Sequence, residues 1–367
     1  MKILFIASLH HPEETGASRT HAPPFFPISQ AHSFWVKALE RMGHTCQVFW
    51  RSAPAQRLYV THRPSRRRLV AGLAARFPEL NPAARLRNRQ LLSVAIQFQA
   101  DILVLVGGNQ LILPQTLRQL KQLDPRPTLI YTCGTPPETF AHRIERAAAG
   151  LYDLVVANDQ GHADQWRRLG APHSVVLPMS AVDPAFHRPA ASPPAGPARA
   201  EGQIGFVGTL VPSNLYSQRI AALERLRGFD LAIWSVHEVP ASLRAHNRGP
   251  ALGHEMLRAL QTSAIVVNPH GDFMPWGGNM RLFEACGAGC LQIVNDCPAV
   301  HQWFEPDRHL LTYRSIDELP GIVKSMLAQP AERGRIARAG QDHVHQHHTY
   351  QQRMIRFLGL VDELRSS

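Results

Sequence analysis

The sequence predicts an α/β protein with two doubly wound domains that face each other across a cleft, followed by a C-terminal helical tail. Three observations support this fold class. Short apolar runs alternate with longer amphipathic runs, which is the pattern of βα units around a parallel sheet. A stretch rich in proline and alanine at 187–203 separates two such series. Residues 316–364 are compatible with helix throughout and carry no strand signal.

The length of the chain agrees with this organisation. Its 367 residues suggest two domains of roughly 100–200 residues each, and each is large enough to bury a core. We therefore predict a first domain at 1–186, a linker at 187–203, a second domain at 204–348 and a final helix at 349–367 that packs back on the first domain.

The first half contains six strand-like apolar runs. They lie at 2–8, 46–50, 102–106, 128–132, 154–157 and 174–178. Between the first two runs, apolar residues recur with helical spacing from Phe34 to Met42, and Gly43 is a helix stop signal. Several runs are apolar at every position, so helices are expected on both faces of the sheet.

The second half repeats the pattern after the linker. Its strand-like runs lie at 203–210, 231–236, 264–270, 290–296 and 309–313. In doubly wound sheets, ligands bind beyond the carboxyl ends of the strands, at the switch point of the strand order. The loops that follow the strands, and the cleft between the two domains, are therefore the expected place for a site.

Cysteine usage and hydropathy indicate a cytoplasmic protein. The five cysteines are odd in number and contain no Cys-x-x-Cys pair, so neither a disulfide framework nor a zinc ribbon is indicated. Cys286 and Cys290 lie one helical turn apart in an apolar segment and are expected in the core. The apolar run at 3–9 is too short for a signal peptide or a membrane span. Histidines 343, 345, 347 and 348 do not share one helix face, so we expect them at the surface rather than around a metal.

The net charge of +11 is unevenly distributed. Eight arginines lie between residues 63 and 89, against the single acid Glu79. Such a segment can attract nucleic acid, an anionic membrane or an anionic substrate, or it can be a solvated surface. Arg66, Arg67 and Arg68 precede apolar residues at helical spacing, which favours peripheral contact with an anionic membrane, such as the inner membrane face, over nucleic acid.

The first loop that can carry chemistry is GFVGTLVPSNLYSQR, after the opening strand of the second domain. Gly208, followed by Thr209, allows a backbone to approach a bulky ligand. A helix is expected to begin near Ser213 or Asn214, and its N-terminus favours an anion. Arg219 in that helix either points back at the same anion or faces solvent.

The second loop is NPHGDFMPWGGNMRLFEACGAG, at 268–289. Asn268 and His270 stand where the loop leaves a buried strand. Gly277 and Gly278 provide a flexible backbone, and Asn279 is a candidate N-cap for a helix that runs to about Ala288. Backbone N–H groups at this helix start form a second potential anion site.

Arg281 and Glu284 lie one turn apart on that helix, on the same face. Arg281 can make a charge-assisted contact with a phosphate. Glu284 can accept two hydrogen bonds from a vicinal diol, such as the ribose of a nucleotide. The alternative is an internal Arg–Glu pair on an exposed face, worth about 0.2–0.5 kcal/mol. The apolar surroundings favour a ligand, because a desolvated pair is costly without further partners.

These residues carry a resemblance to a known family. The run 268–353 resembles the C-terminal half of GT-B glycosyltransferases, and it is closest to the bacterial group that includes the CgeB-type spore-maturation proteins. The shared features are N-x-R-x-F-E-A at 279–285, FEPDRHLLTYRSIDEL at 304–319 and HTYQQR at 348–353. FVGT followed by Arg219 resembles the start of the same domain, and YDLVVANDQGHADQWRRLG in the first half resembles the last βα unit of a GT-B N-terminal domain.

The resemblance implies two Rossmann-like domains and a metal-independent glycosyltransferase without a cofactor. Such an enzyme, a hexosyltransferase of the retaining type, moves a sugar from a nucleotide-diphosphate donor such as a UDP-sugar. The acceptor, a glycan, lipid-linked group, protein or small molecule, would bind the N-terminal domain. Related retaining enzymes carry a second acid eight positions before the ribose-binding one. Here that position is Trp276, and Asp272 is the nearest acid upstream.

By position, Glu284 would bind the ribose, while Arg281, Arg219 and nearby backbone amides would bind the diphosphate. A base from the first domain, if one is needed, is expected in the loop 8–26, which offers His10, His11, Glu13, Glu14 and His21. The predicted catalytic residues are Arg281, Arg219, His11 and Glu14. The predicted donor-binding residues are Gly208, Thr209, Asn268, His270, Gly277, Gly278, Asn279, Arg281 and Glu284.

Two other functions fit the same sequence. The first is a non-catalytic GT-B-like protein that binds a membrane or nucleic acid through the basic segment 63–89. The second is a sugar-nucleotide epimerase or hydrolase of the same fold. A carboxylate at Glu284 favours nucleotide binding over the first alternative, because an anion-binding module gains nothing from it.

Overall fold

The computed structural model describes residues 1–7, 31–51, 77–109, 111–188, 203–211 and 213–366. These residues form two compact units, one made of 1–179 with 354–367 and the other of 180–353. The predicted catalytic candidates His11 and Glu14, the basic residues Arg66–Arg68 and most of the predicted linker lie outside the described residues.

The first unit contains a parallel sheet whose described strands agree with the six predicted apolar runs. They are β1 (Lys2–Ala7), β2 (Thr45–Trp50), β3 (Ile102–Val106), β4 (Thr128–Cys133), β5 (Leu154–Ala157) and β6 (Ser174–Val176). Their order is β2-β1-β3-β4-β5-β6, so the direction of winding reverses between β1 and β3. The central strands are buried along their length, as continuous apolar runs require in a sheet covered on both faces.

Helices connect these strands. They are α1 (Ala31–Arg41), α2 (Pro82–Phe98), α3 (Pro114–Leu120), α4 (Pro137–Phe140), α5 (Arg143–Ala147) and α6 (Gln160–Arg168), with 3₁₀ turns at Pro78–Leu80 and Ala149–Leu151. The end of α1 follows the predicted stop, since Gly43 adopts φ +83°. The start of α2 combines an Asn81 cap, which accepts from Ala83 N, with proline at the first position.

The second unit contains the other parallel sheet. Its described strands are β7 (Ile204–Val207), β8 (Leu231–Trp234), β9 (Ile265–Asn268), β10 (Leu291–Asn295) and β11 (Leu311–Tyr313). The strand order is β11-β10-β9-β7-β8, so winding reverses between β7 and β9. The sequence prediction of two doubly wound parallel sheets is confirmed.

The helices that follow Ser180 begin before the second sheet and run to the end of the described chain. They are α7 (Pro184–His187), α8 (Ser217–Glu224), α9 (His254–Thr262), α10 (Met280–Gly287), α11 (Pro298–Trp303), α12 (Leu319–Ala328), α13 (Pro330–His347) and α14 (Tyr350–Ser366), with a 3₁₀ turn at Ala241–His246. Among the described helices, none combines the length and apolar character that crossing a membrane requires.

The two ends of the second unit pair with each other. The sequence predicts that residues 180–186 belong to the first domain, but in the structure they lie in the second unit. Val182 N donates to His348 O, and Tyr350 N donates to Val182 O, both at 2.9 Å. From Met354 onward, α14 belongs to the first unit, where Arg365 Nη2 donates to Asp101 O at 2.7 Å.

His347 is exposed as the sequence predicts, but His345 is buried and His343 and His348 are partly buried. His343 and His348 both direct Nε2 at the carbonyl oxygen of Trp303, at 2.7 and 3.2 Å, and His345 directs Nε2 at Gly287 O at 3.0 Å. Main-chain carbonyls at the C-terminal ends of α10 and α11 therefore hold these rings against the core, which side-chain spacing alone does not reveal. The prediction of Cys286 and Cys290 in the core is confirmed, and burial raises the pKa of Cys286 to about 12.

Candidate functional site

The site predicted from the sequence lies at the switch point of the second sheet. β7 and β9 are direct parallel neighbours, with Ile204 opposite Ile265 and Gly205 opposite Val266. The loops that leave their carboxyl ends, β7–α8 and β9–α10, therefore start side by side. This is the position at which open α/β sheets bind ligands.

A buried amide network fixes the start of α10. Asn268 and Asn279 exchange side-chain hydrogen bonds of 3.1 and 2.9 Å, and Asn268 Nδ2 also donates to Gln292 Oε1 at 2.8 Å. Asn279 Oδ1 accepts from Leu282 N at 2.9 Å, which confirms it as the N-cap. Asn268, predicted to bind the donor, thus uses its amide to hold the cap.

His270 holds the glycine pair of the same loop. Its Nε2 accepts from Gly278 N at 3.2 Å, so the ring proton lies on Nδ1 and is donated to Asn295 Oδ1 at 2.9 Å. Burial lowers the pKa of His270 to about 4, and the positive charge of Arg219 acts in the same direction. His270 is therefore a neutral ring that shapes the loop rather than a cation offered to a phosphate.

This arrangement predicts an acid-sensitive fold. A histidine whose pKa falls from 6.5 unfolded to about 4 folded binds protons preferentially in the unfolded state, so its contribution to stability is present above pH 6.5 and is lost as the pH falls towards 4. Between pH 7 and pH 5 the loss from His270 alone is about 2 kcal/mol. Urea unfolding at both pH values should show a smaller pH difference for His270→Gln than for the wild type. An equal difference in the two proteins would contradict this assignment.

Arg281 and Glu284 form a mostly buried ion pair. Arg281 Nη1 lies 2.8 Å from Glu284 Oε2, and the two side chains are 14% and 9% exposed. Arg281 also donates Nε to Val207 O at 3.3 Å and Nη1 to the Met256 sulfur at 2.9 Å. An exposed Arg–Glu pair was the alternative to ligand binding that the sequence left open. The pair does form, but it is mostly buried, and burying both charges is costly unless further partners, such as a ligand, compensate them.

Arg219 does not face solvent, which was one of the two sequence expectations. It is buried, and it donates Nε to Pro269 O at 2.8 Å and Nη1 to Thr209 O at 3.0 Å. Its guanidinium therefore joins the β7–α8 loop to the β9–α10 loop. Burial lowers the pKa of Arg219 to about 10, and the positive charge of Arg281 acts in the same direction, so the two guanidinium groups lie within reach of each other's field.

Helix α8 begins at Ser217, later than the predicted start near Ser213 or Asn214. The cause is a carboxylate distant in sequence. Asp272 Oδ2 accepts from Ser217 N at 2.9 Å, and Oδ1 accepts from Gln218 N at 3.2 Å. Asp272 N in turn donates to Leu215 O at 2.9 Å. The N-terminus predicted to attract a ligand anion thus binds an anion of the chain itself, and no local signal near Ser217 could have revealed it.

The amide of Gly208 is also occupied. The sequence predicts that it binds the diphosphate, but Gly208 N donates to Trp234 O at 3.0 Å, because the β7–β8 ladder extends one residue beyond β7. Thr209 offers its carbonyl to Arg219. Five of the predicted donor-binding residues lie together at the start of α10: Gly277, Gly278, Asn279, Arg281 and Glu284. The other contacts described here, those of Gly208, Thr209 and Arg219, fix the neighbouring β7–α8 loop.

Further groups near Glu284 were not predicted from the sequence. The negative charge of Glu284 is among the causes that raise the pKa of Tyr350, behind burial, and it acts against the burial that lowers the pKa of His187. Trp276 packs against the apolar cluster around Phe283 and Val300. In the part of the chain that the structure describes, no group of three or more His, Cys, Asp or Glu side chains is placed to hold a metal ion.

Part of the chain is similar to a known protein family. A family model described as "Glycosyl transferase-like" matches residues 217–359, from the start of α8 into α14. The match contains Asp272, the glycine pair, Arg281 and Glu284. No curated protein sequence matches the chain.

Solved structures match over the whole chain. Sucrose-phosphate synthase from Thermosynechococcus elongatus has a TM-score of 0.66 at 13% identity, covering 100% of this chain and 99% of its own. HepE from Anabaena, in complex with UDP-glucose, has a TM-score of 0.61 at 14% identity, covering 98% and 99%. A putative UDP-N-acetylglucosamine 2-epimerase from Listeria monocytogenes has a TM-score of 0.53 at 11% identity, covering 100% and 97%.

These likenesses establish the architecture at low sequence identity. Both parallel sheets and nearly the full length of each chain take part in the alignments. The protein therefore has the GT-B fold, with two parallel-sheet Rossmann-like domains, and the second of these is similar to the glycosyl transferase-like family model.

Proposed function

We propose that the protein is a glycosyltransferase that moves a sugar from a nucleotide-diphosphate donor to an acceptor. The observation that carries the proposal is the Arg281–Glu284 pair, buried in the first turns of α10 at the switch point of the second sheet. Neither charge is needed to fold a helix whose other buried positions are apolar. A nucleotide diphosphate uses both, because ribose hydroxyls donate to a carboxylate and phosphate oxygens accept from a guanidinium.

The proposed chemistry depends on charge that develops in the reaction. When the glycosidic bond to the donor breaks, negative charge grows on the leaving diphosphate, and preorganised positive groups stabilise it. Arg281 and the N-terminus of α10 supply that charge without a metal. Arg219 has a different part in the proposal, since it donates to Pro269 O and Thr209 O and so fixes the two loops that meet at the site.

A UDP-hexose is the first donor to test. HepE from Anabaena, which shares the fold, has been solved with UDP-glucose. The resemblance to the CgeB-type group extends the proposal to a retaining hexosyltransferase. Asp272 is bonded to the start of α8, so the proposal does not assign it to the donor sugar.

The direct test is calorimetric titration of the wild-type protein with UDP-, GDP-, ADP- and dTDP-sugars. We expect one nucleotide to bind with a Kd between about 1 μM and 1 mM, the range typical of enzyme substrates. Heats indistinguishable from dilution for the whole panel would contradict the proposal. An NMR measurement of the anomeric configuration of the product then tests retention.

A sugar-nucleotide epimerase or hydrolase is the second candidate, and the structural likeness to the putative Listeria monocytogenes 2-epimerase favours it. The two functions differ in their need for an acceptor. Incubation of the purified protein with the bound donor alone separates them. Multiple turnovers of the donor per protein molecule without any acceptor would support the second candidate, whereas binding with negligible turnover supports the transferase.

A further inference from the structure

Arg353, the last residue of the HTYQQR motif, is a buried guanidinium that the proposed donor site does not use. It lies in the first turn of α14, with its guanidinium carbon 5.4 Å from the centre of the Phe283 ring. Its Nε and Nη2 atoms are buried and have no hydrogen-bond partner among the described residues. The residue as a whole keeps intermediate exposure, because other parts of its side chain reach the surface.

The titratable groups around Arg353 do not compensate its charge. Burial and the positive charge of Arg353 lower the pKa of His348 to about 3, so this ring is neutral near pH 7. Burial raises the pKa of Tyr350, so its phenol is also uncharged there. Burial lowers the pKa of Arg353 itself to about 10, which still leaves it cationic. A buried cation without an anion is among the costliest arrangements in a protein interior.

The two unpartnered nitrogens form one edge of the guanidinium. Nε and Nη2 point their N–H groups in the same direction, which suits two oxygens of one carboxylate or phosphate. The chain shows this geometry elsewhere. Arg335 donates Nε and Nη2 to the two carboxylate oxygens of Glu332, at 2.8 and 2.7 Å. The edge that Glu332 fills on Arg335 is open on Arg353.

We propose that the Nε–Nη2 edge of Arg353 is a binding site for an oxyanion that presents two oxygens, either a phosphate or a carboxylate. The Phe283 ring forms one side of the site, and the neighbouring His348 and Tyr350 side chains are neutral near pH 7. The site differs from the Arg281–Glu284 pair in its cation, because the unpartnered nitrogens belong to Arg353, whereas Arg281 is already paired with Glu284.

Thermal unfolding in different salts tests the site without any knowledge of the donor. The wild-type protein is compared in sodium phosphate, sodium acetate and sodium chloride at equal pH and ionic strength. We expect phosphate or acetate to raise the Tm by about 2–4 °C or more relative to chloride. A response to phosphate alone assigns a phosphate group, and a response to acetate alone assigns a carboxylate.

The matched control is Arg356, an exposed arginine of the same helix that pairs with Glu363 at 3.0 Å. Arg356→Met should keep the wild-type response, whereas Arg353→Met should lose it and unfold at a higher temperature than the wild type in chloride, since an unpaired buried charge is removed. If Arg353→Met does not fold, Arg353→Lys replaces it, with a reduced response because lysine lacks the two-nitrogen edge. The proposal would be overturned if either Arg353 variant kept the wild-type Tm increase. It would also be overturned if neither phosphate nor acetate raised the Tm of the wild type.

Discussion

Replacing Glu284 with alanine is expected to destabilise the protein by about 3–5 kcal/mol, because it leaves Arg281 buried without its anion. The remaining partners of Arg281 in the site are the Val207 carbonyl oxygen and the Met256 sulfur, neither of which carries a charge. Affinity for the donor nucleotide should fall at least tenfold, since each hydrogen bond to a charged group contributes about 1.5–3 kcal/mol. Urea unfolding and calorimetric titration measure the two effects.

A second variant separates stability from binding. When both members of a buried ion pair are replaced by apolar residues of similar volume, the fold is often unaffected or stabilised. The double variant Arg281→Met/Glu284→Leu should therefore regain most of the stability that Glu284→Ala loses, yet remain unable to bind the nucleotide. If the folded double variant bound the nucleotide as the wild type does, the pair would be structural and the ribose assignment would be wrong.

Glu332 provides the matched control for the loss of a carboxylate. It pairs with Arg335 at the same i,i+3 separation, but on the exposed side of α13. Exposed pairs are screened by water and hold their side chains at an entropic cost. Glu332→Ala should thus leave both unfolding and nucleotide binding close to wild type. If Glu332→Ala lost as much stability and nucleotide affinity as Glu284→Ala, the two measurements would report the loss of any carboxylate and not the loss of one in the site.

The fold was predictable because each strand corresponds to a short apolar run in the sequence. Runs such as 154–157 and 231–234 are apolar at every position, and only a strand covered on both faces buries so short a run completely. Helix ends were predictable where their signal is local, as with the Asn279 cap and the Gly43 stop. The start of α8 was not, because the carboxylate that caps it belongs to Asp272, 55 residues later in the chain.

The site was predictable in part for the same reason. Arg281 and Glu284 share a helix turn, so their proximity follows from helical geometry. The contacts of Arg219 were not predictable, because its partners are backbone carbonyls at Pro269 and Thr209, and any residue type could supply these. The contacts of His270 and Gly208 were unpredictable for a similar reason. Their hydrogen bonds go to groups brought close by the pairing of strands, which a single sequence does not display.

Replacing Gly277 with alanine is expected to disrupt the same loop through the backbone. Gly277 adopts φ +95°, and an added Cβ would lie 2.5 Å from Cys297 Sγ and 3.3 Å from Ala299 Cβ. A non-glycine residue in this region costs about 1–3 kcal/mol, and forcing a methyl group into a packed core costs about 1–3 kcal/mol more. We expect a total loss of about 2–6 kcal/mol in urea unfolding, with loss of nucleotide binding.

Two further variants divide this effect between its causes. Gly249 also has a positive φ, of +85°, but an added Cβ there meets nothing within 4 Å, so Gly249→Ala should show the conformational cost alone and bind the nucleotide normally. In the double variant Gly277→Ala/Cys297→Ala the closest clash is removed, and stability should recover in part. Recovery of stability without recovery of binding would show that the donor requires the backbone conformation of Gly277 itself. That result is expected, because Gly278 N, next to Gly277, donates to His270 Nε2 at 3.2 Å, and this hydrogen bond holds the glycine pair at the start of α10.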